Sequence, residues 1–314
     1  MPEAALHTYQ HKLNNYWIFF AVPSVILCVT AFTLEPITVL LAIITLACTI
    51  PIFKWLDRLE PGYPRERWNA ILWGGGICIL IAGTINTLAY ELYGDFITIV
   101  AVAPVIEESL KVLGVYLIAR KGLIRSPLDG VVFAGYISLG FAGIENVQYF
   151  WEASTTDDLM LTFVVRGLFS PLAHPYFTAW AGWLIGRAAQ NRQSVKTSAV
   201  AGLLLGIPLH SLWNAGASNE GQFLLITSIS NLILFISLVV LLLRARRREV
   251  RLVREHLHRF TTLLNLVPAE LALYGNIKRT HQFRKNLKKQ AKHRFDYRYS
   301  AVMHYVIDQV RGLP

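Results

Sequence analysis

Long apolar runs recur along this chain, each close to the ~20 residues an α-helix needs to cross a bilayer. They fall at about 17–34, 36–53, 69–90, 96–119, 128–150, 162–188, 198–217 and 222–243. In lipid the backbone must satisfy its own hydrogen bonds, and runs of this length do so as helices. Charged residues are 16% of the 314, against ~25% in soluble domains. The reading is an all-α, polytopic membrane helix bundle of about eight transmembrane helices over residues 1–243, followed by a basic helical tail over 244–314. No Lys/Arg cluster precedes the first run and no small-residue cleavage site follows it, so that run is expected to be retained. Cys28, Cys48 and Cys78 fall singly in three runs and read as packing residues.

Charge placement orients the bundle. Of the 30 Lys and Arg, all but Lys111 and Arg166 lie in the N-terminal segment, in alternate loops or after residue 243. The intervening loops carry Glu35, Glu91, Asp95, Glu152, Asp157, Asp158 and Glu220 instead. Strict alternation satisfies the positive-inside rule with an even number of spans and both termini in the cytoplasm. The net charge of +10 is therefore largely an orientation signal. "RARRREVRLVREHLHRF" (244–260) spaces Val250, Leu252, Val253, Leu257 and Phe260 helically and is expected to continue the last span. The basic run "KRTHQFRKNLKKQAKHRF" (278–295) suits anionic lipid headgroups. No motif supports nucleic acid as a partner.

Ionisable residues inside the runs demand a different explanation. "VAPVIEESLKVLGVYLIAR" (102–120) places Glu107, Glu108 and Lys111 mid-span, at a cost of ~2.5–3.5 kcal/mol each on the insertion scale. Later spans add Glu145 and Asn146, Arg166, His174, and the pair His210 and Asn214, which share a helix face at i and i+4. At 1.5 Å per residue, the glutamates of span four, Glu145, His174 and His210 fall within ~10 Å of one another in depth. Asp129 lies at the opposite end of its span. Lys111 can neutralise one of Glu107 and Glu108, and the other needs Arg166, a histidine, a metal or a proton. Prolines 104, 171, 175 and 208 attend these polar residues and imply irregular backbone beside a wet cavity.

Taken singly, each of these groups could be a salt-bridge knot or interhelical hydrogen bonding. Together they are what water activation needs: a carboxylate to take its proton, a histidine to orient or donate, and His and Asn to donate to an oxyanion. The same groups could hold zinc, with Glu108, His174 and His210 as ligands. The competing class is a transporter or proton relay, since intramembrane Glu, His and Lys also mark ion paths. Transporters often carry internal repeats, whereas here nearly all polar content lies in spans four to seven.

Four pieces, "EESLK" (107–111), "GFAGIEN" (140–146), His174 and "HSLWN" (210–214), follow in order on successive spans. In this the chain resembles PrsW-family intramembrane proteases, related to the CAAX-type prenyl endopeptidases, over about residues 100–217. The resemblance implies a bacterial integral membrane protease acting on a membrane-anchored protein substrate. It implies that Glu107 and Glu108 activate water with His174 and that His210 and Asn214 support the tetrahedral intermediate or a metal, while Glu145 and Asn146 match the motif that sets PrsW-like chains apart from the prenyl endopeptidases. Lys111, Glu145, Asn146 and Arg166 are expected to support the site. The expected location is a bacterial plasma membrane.

Reporter fusions test the alternation. Fusions after Arg67, Arg125 and Lys196 should report cytoplasm, and one at Asp157 the outer side. A cytoplasmic signal at Asp157 breaks the eight-span topology.

Overall fold

The computed structural model describes residues 22–57, 64–153, 155–218, 222–262, 264–274 and 276–310. Lys12, Arg58, Glu220, Arg311 and the start of the first apolar run lie outside the described residues. Every described element is helical. They run α1 (Val22–Leu34), α2 (Pro36–Leu56), α3 (Pro64–Leu72), α4 (Ile79–Tyr93), α5 (Asp95–Ile97), α6 (Ala103–Arg120), α7 (Pro127–Trp151), α8 (Thr156–Thr162), α9 (Ala173–Gln190), α10 (Val195–Ala217) and α11 (Gln222–His256). Short helices α12 (Pro268–Leu271) and α13 (Ile277–Lys285) precede the longer α14 (Lys289–Val310). Wider π-helical turns join α3 to α4 (Trp73–Cys78), α5 to α6 (Thr98–Val102) and follow α8 (Phe163–Phe169).

Among the described residues, five helices are long and apolar enough to cross a membrane. The chain is a helical membrane bundle. In Pro127–Trp151 the most apolar stretch is 89% buried by protein, against 22–33% in the other four. α7 is therefore the central post. The peripheral helices turn apolar side chains outward, as Val25, Ile26 and Val29 on α1 and Ile229, Leu232 and Ile233 on α11 do. Such a surface is stable only against lipid or another apolar partner.

The sixth predicted span, 162–188, is not one helix. The backbone leaves the helix at Ser170–Leu172 and restarts at α9, so His174 sits in the first turn of a helix rather than deep along a continuous one. Pro171 and Pro175 lie at the break. Pro175 has no N–H to donate and its ring would crowd the Pro171 carbonyl in a continuous helix, a conflict absent in the first turn of a new helix, where it stands. Ala173 and Tyr176 re-form the turn by donating to the Ser170 and Leu172 carbonyls at 3.0 and 2.8 Å.

Glycines set how closely α7 is approached. A Cβ on Gly130 would strike the Gly182 carbonyl of α9, and one on Gly140 would strike the Ile71 carbonyl of α3. The Gly182–Gly186 pair thus serves the α7–α9 crossing, and Gly202 and Gly206 seat α10 on Ala181 and Phe177. Asp129 caps α7: its carboxylate accepts from the Ser126 and Arg125 amides at 3.0 and 2.9 Å. That accounts for an acid far from the polar cluster. Cys28, Cys48 and Cys78 are free thiols.

Residues 22–54 and 64–239 form one compact unit, and residues 55–57 with 240–310 belong to a second. The expected continuation of the last span is present, since α11 runs unbroken to His256. The second unit has its own core of Val253, Leu257, Tyr274, Tyr299, Met303 and Val306. Tyr274 and Tyr299 stack at 5.1 Å, and Arg298 bonds Glu270 at 2.8 Å. The basic segment is thus folded on apolar residues spaced between its charges.

Replacing Gly130 by Val should destabilise the folded protein by about 1–3 kcal/mol or more, because the new side chain meets backbone that cannot yield. Gly83 has open space around it, and Gly83→Ala should be neutral or stabilise by about 0.5–1 kcal/mol. Thermal unfolding of detergent-solubilised protein distinguishes the two.

Candidate active site

Helices α6, α7, α9 and α10 supply the polar cluster, with Arg166 arriving on the π-helical turn before α9. On α6, Glu107, Glu108 and Lys111 are all buried, with Glu108 and Lys111 at 0% exposure. The sequence allowed Lys111 one carboxylate. It takes both: Nζ lies 3.2 Å from Glu107 Oε2 and 3.0 Å from Glu108 Oε1. The same nitrogen lies 3.2 Å from His174 Nδ1 and 4.0 Å from the centre of the Phe141 ring. An ammonium has three protons to donate, and three acceptors surround it.

Glu108 is the more committed carboxylate. Its Oε1 also faces His210 Nδ1 at 3.2 Å, and its Oε2 accepts from the Thr178 hydroxyl at 2.7 Å. Thr178 in turn accepts from Ser138 at 2.9 Å. Glu107 lies 4.0 Å from His174 Nδ1 and has Lys111 as its close partner. Arg166, weighed as a partner for the span-four glutamates, goes elsewhere. It pairs with Glu145, donates to Asn146 Oδ1 at 3.0 Å and covers the Tyr149 ring at 3.8 Å. Glu145 is also 2.7 Å from His174 Nε2.

These contacts fix the tautomers. Lys111 donates to His174 Nδ1, so Nε2 carries the proton and gives it to Glu145. Glu108 accepts, so His210 donates from Nδ1. Each imidazole thus has a carboxylate on one nitrogen, the arrangement that orients metal-ligating histidines. His174 and His210 lie edge to face at 5.2 Å, and Phe177 stacks on His210 at 4.6 Å.

Ligand atoms of Glu107, His174 and His210 all lie within 4.8 Å of one another. The sequence proposed Glu108 in this trio, and the structure puts Glu107 there. The physical reason is rotation: successive residues point ~100° apart on a helix, which turns Glu108 toward Thr178 and His210 Nδ1. Asn214, expected beside the oxyanion, donates one amide hydrogen to the Ile99 carbonyl at 2.8 Å. It ties α10 to the π-helical turn at Thr98–Val102, where the wider winding leaves carbonyls to be claimed.

Thr178 and Ser138 escaped the sequence reading. Thr178 stands at i+4 from His174, the spacing that drew attention to His210 and Asn214, but threonine in an apolar helix commonly bonds its own backbone. Thr178 does so too, weakly, to the His174 carbonyl at 3.3 Å.

A family profile for the PrsW family intramembrane metalloprotease matches residues 65–243. The chain is similar to Protease PrsW of Oceanobacillus iheyensis, 30% identical over 122 residues, 39% of this chain and 54% of that relative. It is similar to Protease PrsW of Shouchella clausii, 28% identical over 148 residues, 46% of this chain and 65% of the relative. Protease PrsW of Halalkalibacterium halodurans is 30% identical over 128 residues, 40% of this chain and 53% of the relative. The chain thus spans between about half and two thirds of the curated relatives it matches. No solved structure matches it significantly.

Thr178→Val keeps the shape but leaves Glu108 Oε2 without its donor. It should lower stability by about 1–3 kcal/mol, the cost of an orphaned buried polar group, and more than Ser138→Ala does. Unfolding midpoints of the two variants, measured in one detergent, check this.

Proposed function

The chain belongs to the PrsW family, and from that premise we propose that it is an intramembrane endopeptidase that hydrolyses a peptide bond of a membrane-anchored protein. The observation that carries the reading is the buried convergence of Glu107, His174 and His210. The family match favours proteolysis over the transporter or proton-relay alternative.

In this reading Glu107 takes the proton of the attacking water, because its neighbour Glu108 is held by Lys111, His210 and Thr178. Glu145 keeps His174 in the tautomer that turns Nδ1 inward, and Glu108 does the reverse for His210, leaving its Nε2 available. Phe141 and Phe177 beside the imidazoles exclude bulk water and strengthen every charge interaction inside. Asn214 positions its helix through Ile99 and retains a second amide hydrogen to offer an oxyanion.

The residues fit a divalent metal such as zinc. Two nitrogens and one carboxylate are a donor set that leaves a coordination position open. Both histidines are braced by carboxylates, and the space between Glu107 and His174 is already lined for positive charge, with the Lys111 ammonium in it. Glu107, His174 and His210 would hold the ion, and Lys111 would have to withdraw. When bound, it would acidify water and polarise the scissile carbonyl. Because Lys111 fills that gap, a metal-free, glutamate-type site is the second reading. There the ammonium faces the developing oxyanion.

We place both termini in the cytoplasm of a bacterial plasma membrane, residues 1–243 as the catalytic membrane part with its core at about 100–217, and the basic segment from 244 on against anionic lipid headgroups. The alternating loop charges support this orientation.

Purified full-length protein with a membrane-anchored protein substrate tests the chemistry. Glu107→Gln should cut the cleavage rate ~10²–10⁴-fold, the range for a lost general base, with little loss of stability. Glu108→Gln should lower both rate and unfolding midpoint, since it weakens three buried bonds. His174→Ala should be at least as damaging as Glu107→Gln. Folded Glu107→Gln and His174→Ala variants that cleave at the parental rate would sink the assignment. Loss of cleavage with a chelator and recovery with zinc would select the metal form.

A further inference from the structure

We propose that the stretch of α11 just beyond its apolar run forms a binding pocket for the phosphate-bearing headgroup of an anionic lipid. The pocket deepens the reading of the basic segment as lipid-facing, and rests on that segment meeting the cytoplasmic leaflet.

A cavity of about 600 Å³ opens along this part of α11, within the usual size range of small-ligand sites. Leu243 and Val250 give it an apolar floor, and Trp55, at the end of α2, forms a wall. Arg247, Arg251 and Arg254 line it. They stand at i, i+4 and i+7, so they present their guanidinium groups on one helix face. Arg247 and Arg251, like charges one turn apart, repel, and nothing within that pair offsets the repulsion. A bound anion would.

Arg246 does a different job. It is buried, and its guanidinium lies 3.8 Å over the Trp55 ring. That cation–π contact fixes the wall against α11. The wall is thus in place before a ligand arrives, with Arg247 and Arg251 at exposed positions of the helix beside it. Guanidinium groups match phosphate oxygens by paired, parallel hydrogen bonds, which lysine cannot make.

Position along the helix selects the source of the phosphate. The apolar run of α11 ends at Leu243. At 1.5 Å per residue, Arg247 lies ~6 Å further on and Arg254 ~17 Å. The headgroup zone is on the order of 5–8 Å thick per leaflet, so Arg247 and Arg251 stand at or just beyond it, within reach of long side chains that bend back. Trp55 suits the same level, where tryptophan is enriched. A soluble phosphate would need none of this placement.

The test uses full-length protein in a zwitterionic detergent, titrated with short-chain phosphatidylglycerol, with phosphatidylcholine of equal chain length, and with inorganic phosphate. Phosphatidylglycerol should bind saturably, one per chain, and the other two far more weakly. R247Q/R251Q should weaken it roughly 25-fold, about 5-fold per arginine lost from an anionic surface contact. R247K/R251K keeps the charge and should fall between, which preserves the test if the glutamine variant does not fold. R192Q/K196Q removes as much charge from exposed residues where α9 meets α10, outside the basic segment, and should leave affinity within about 2-fold. Equal losses in the two glutamine variants would overturn the pocket while leaving diffuse lipid attraction intact. Inorganic phosphate binding as tightly as phosphatidylglycerol would overturn the lipid assignment.

Discussion

The ammonium of Lys111 is the hinge of this structure. A fully buried charge is tolerated only when paired and hydrogen-bonded, and here one cation satisfies two carboxylates of its own helix and reaches the imidazole of another. Around it, three carboxylates face two permanent cations, Lys111 and Arg166. The surplus negative charge is spread over neutral donors: the N–H groups of His174 and His210 and the hydroxyl of Thr178. Each donor comes from a different place on α9 or α10. Satisfying the α6 charges therefore fixes the rotation and height of both helices. Small residues let the helices meet that demand, since Gly206 of α10 lies against Phe177, directly beside Glu108.

Regular helix is abandoned where the cluster needs room. Two of the three π-helical turns are tied to it directly: Phe163–Phe169 carries Arg166, and Thr98–Val102 offers Ile99 to Asn214. The third, Trp73–Cys78, brings Trp73 to donate to the Leu110 carbonyl at 3.0 Å, one residue before Lys111. Irregular backbone at membrane depth survives only inside protein. Its gathering around one cluster is thus a packing consequence of the buried charge, achieved with prolines and glycines written into the runs.

The helices and the polar parts list were legible in the sequence because both rest on local rules. A twenty-residue apolar run has one backbone solution in lipid, and an intramembrane Glu or His must have a partner. The break before His174 was half visible: prolines 171 and 175 implied irregularity, but run length argued for one span. Partner choice was not legible. Lys111 serving both carboxylates, Arg166 choosing Glu145, and Thr178 capping Glu108 depend on helix rotation, which a sequence specifies only through three-dimensional packing. The same limit hid the core of the basic segment, where Tyr274 and Tyr299, far apart in sequence, stack within one small unit.

Glu107 and Glu108 show how far one step of helix can separate two identical side chains. Glu108 turns into the packed seam between α9 and α10, where His210 and Thr178 hold one oxygen each. Glu107 turns toward the gap shared with His174 and His210 and meets a long, flexible lysine there. A carboxylate committed to rigid donors is poorly suited to exchange a proton, because each transfer would break bonds that hold the helices. One whose close partner is a movable ammonium can change its bonding without disturbing the fold. In the proposed reading Lys111 withdraws from Glu107 and keeps Glu108, its shorter contact at 3.0 Å against 3.2 Å. In the proposed reading the pair thus divides into an anchor, Glu108, and a reactive group, Glu107, and Lys111 is the element that links them.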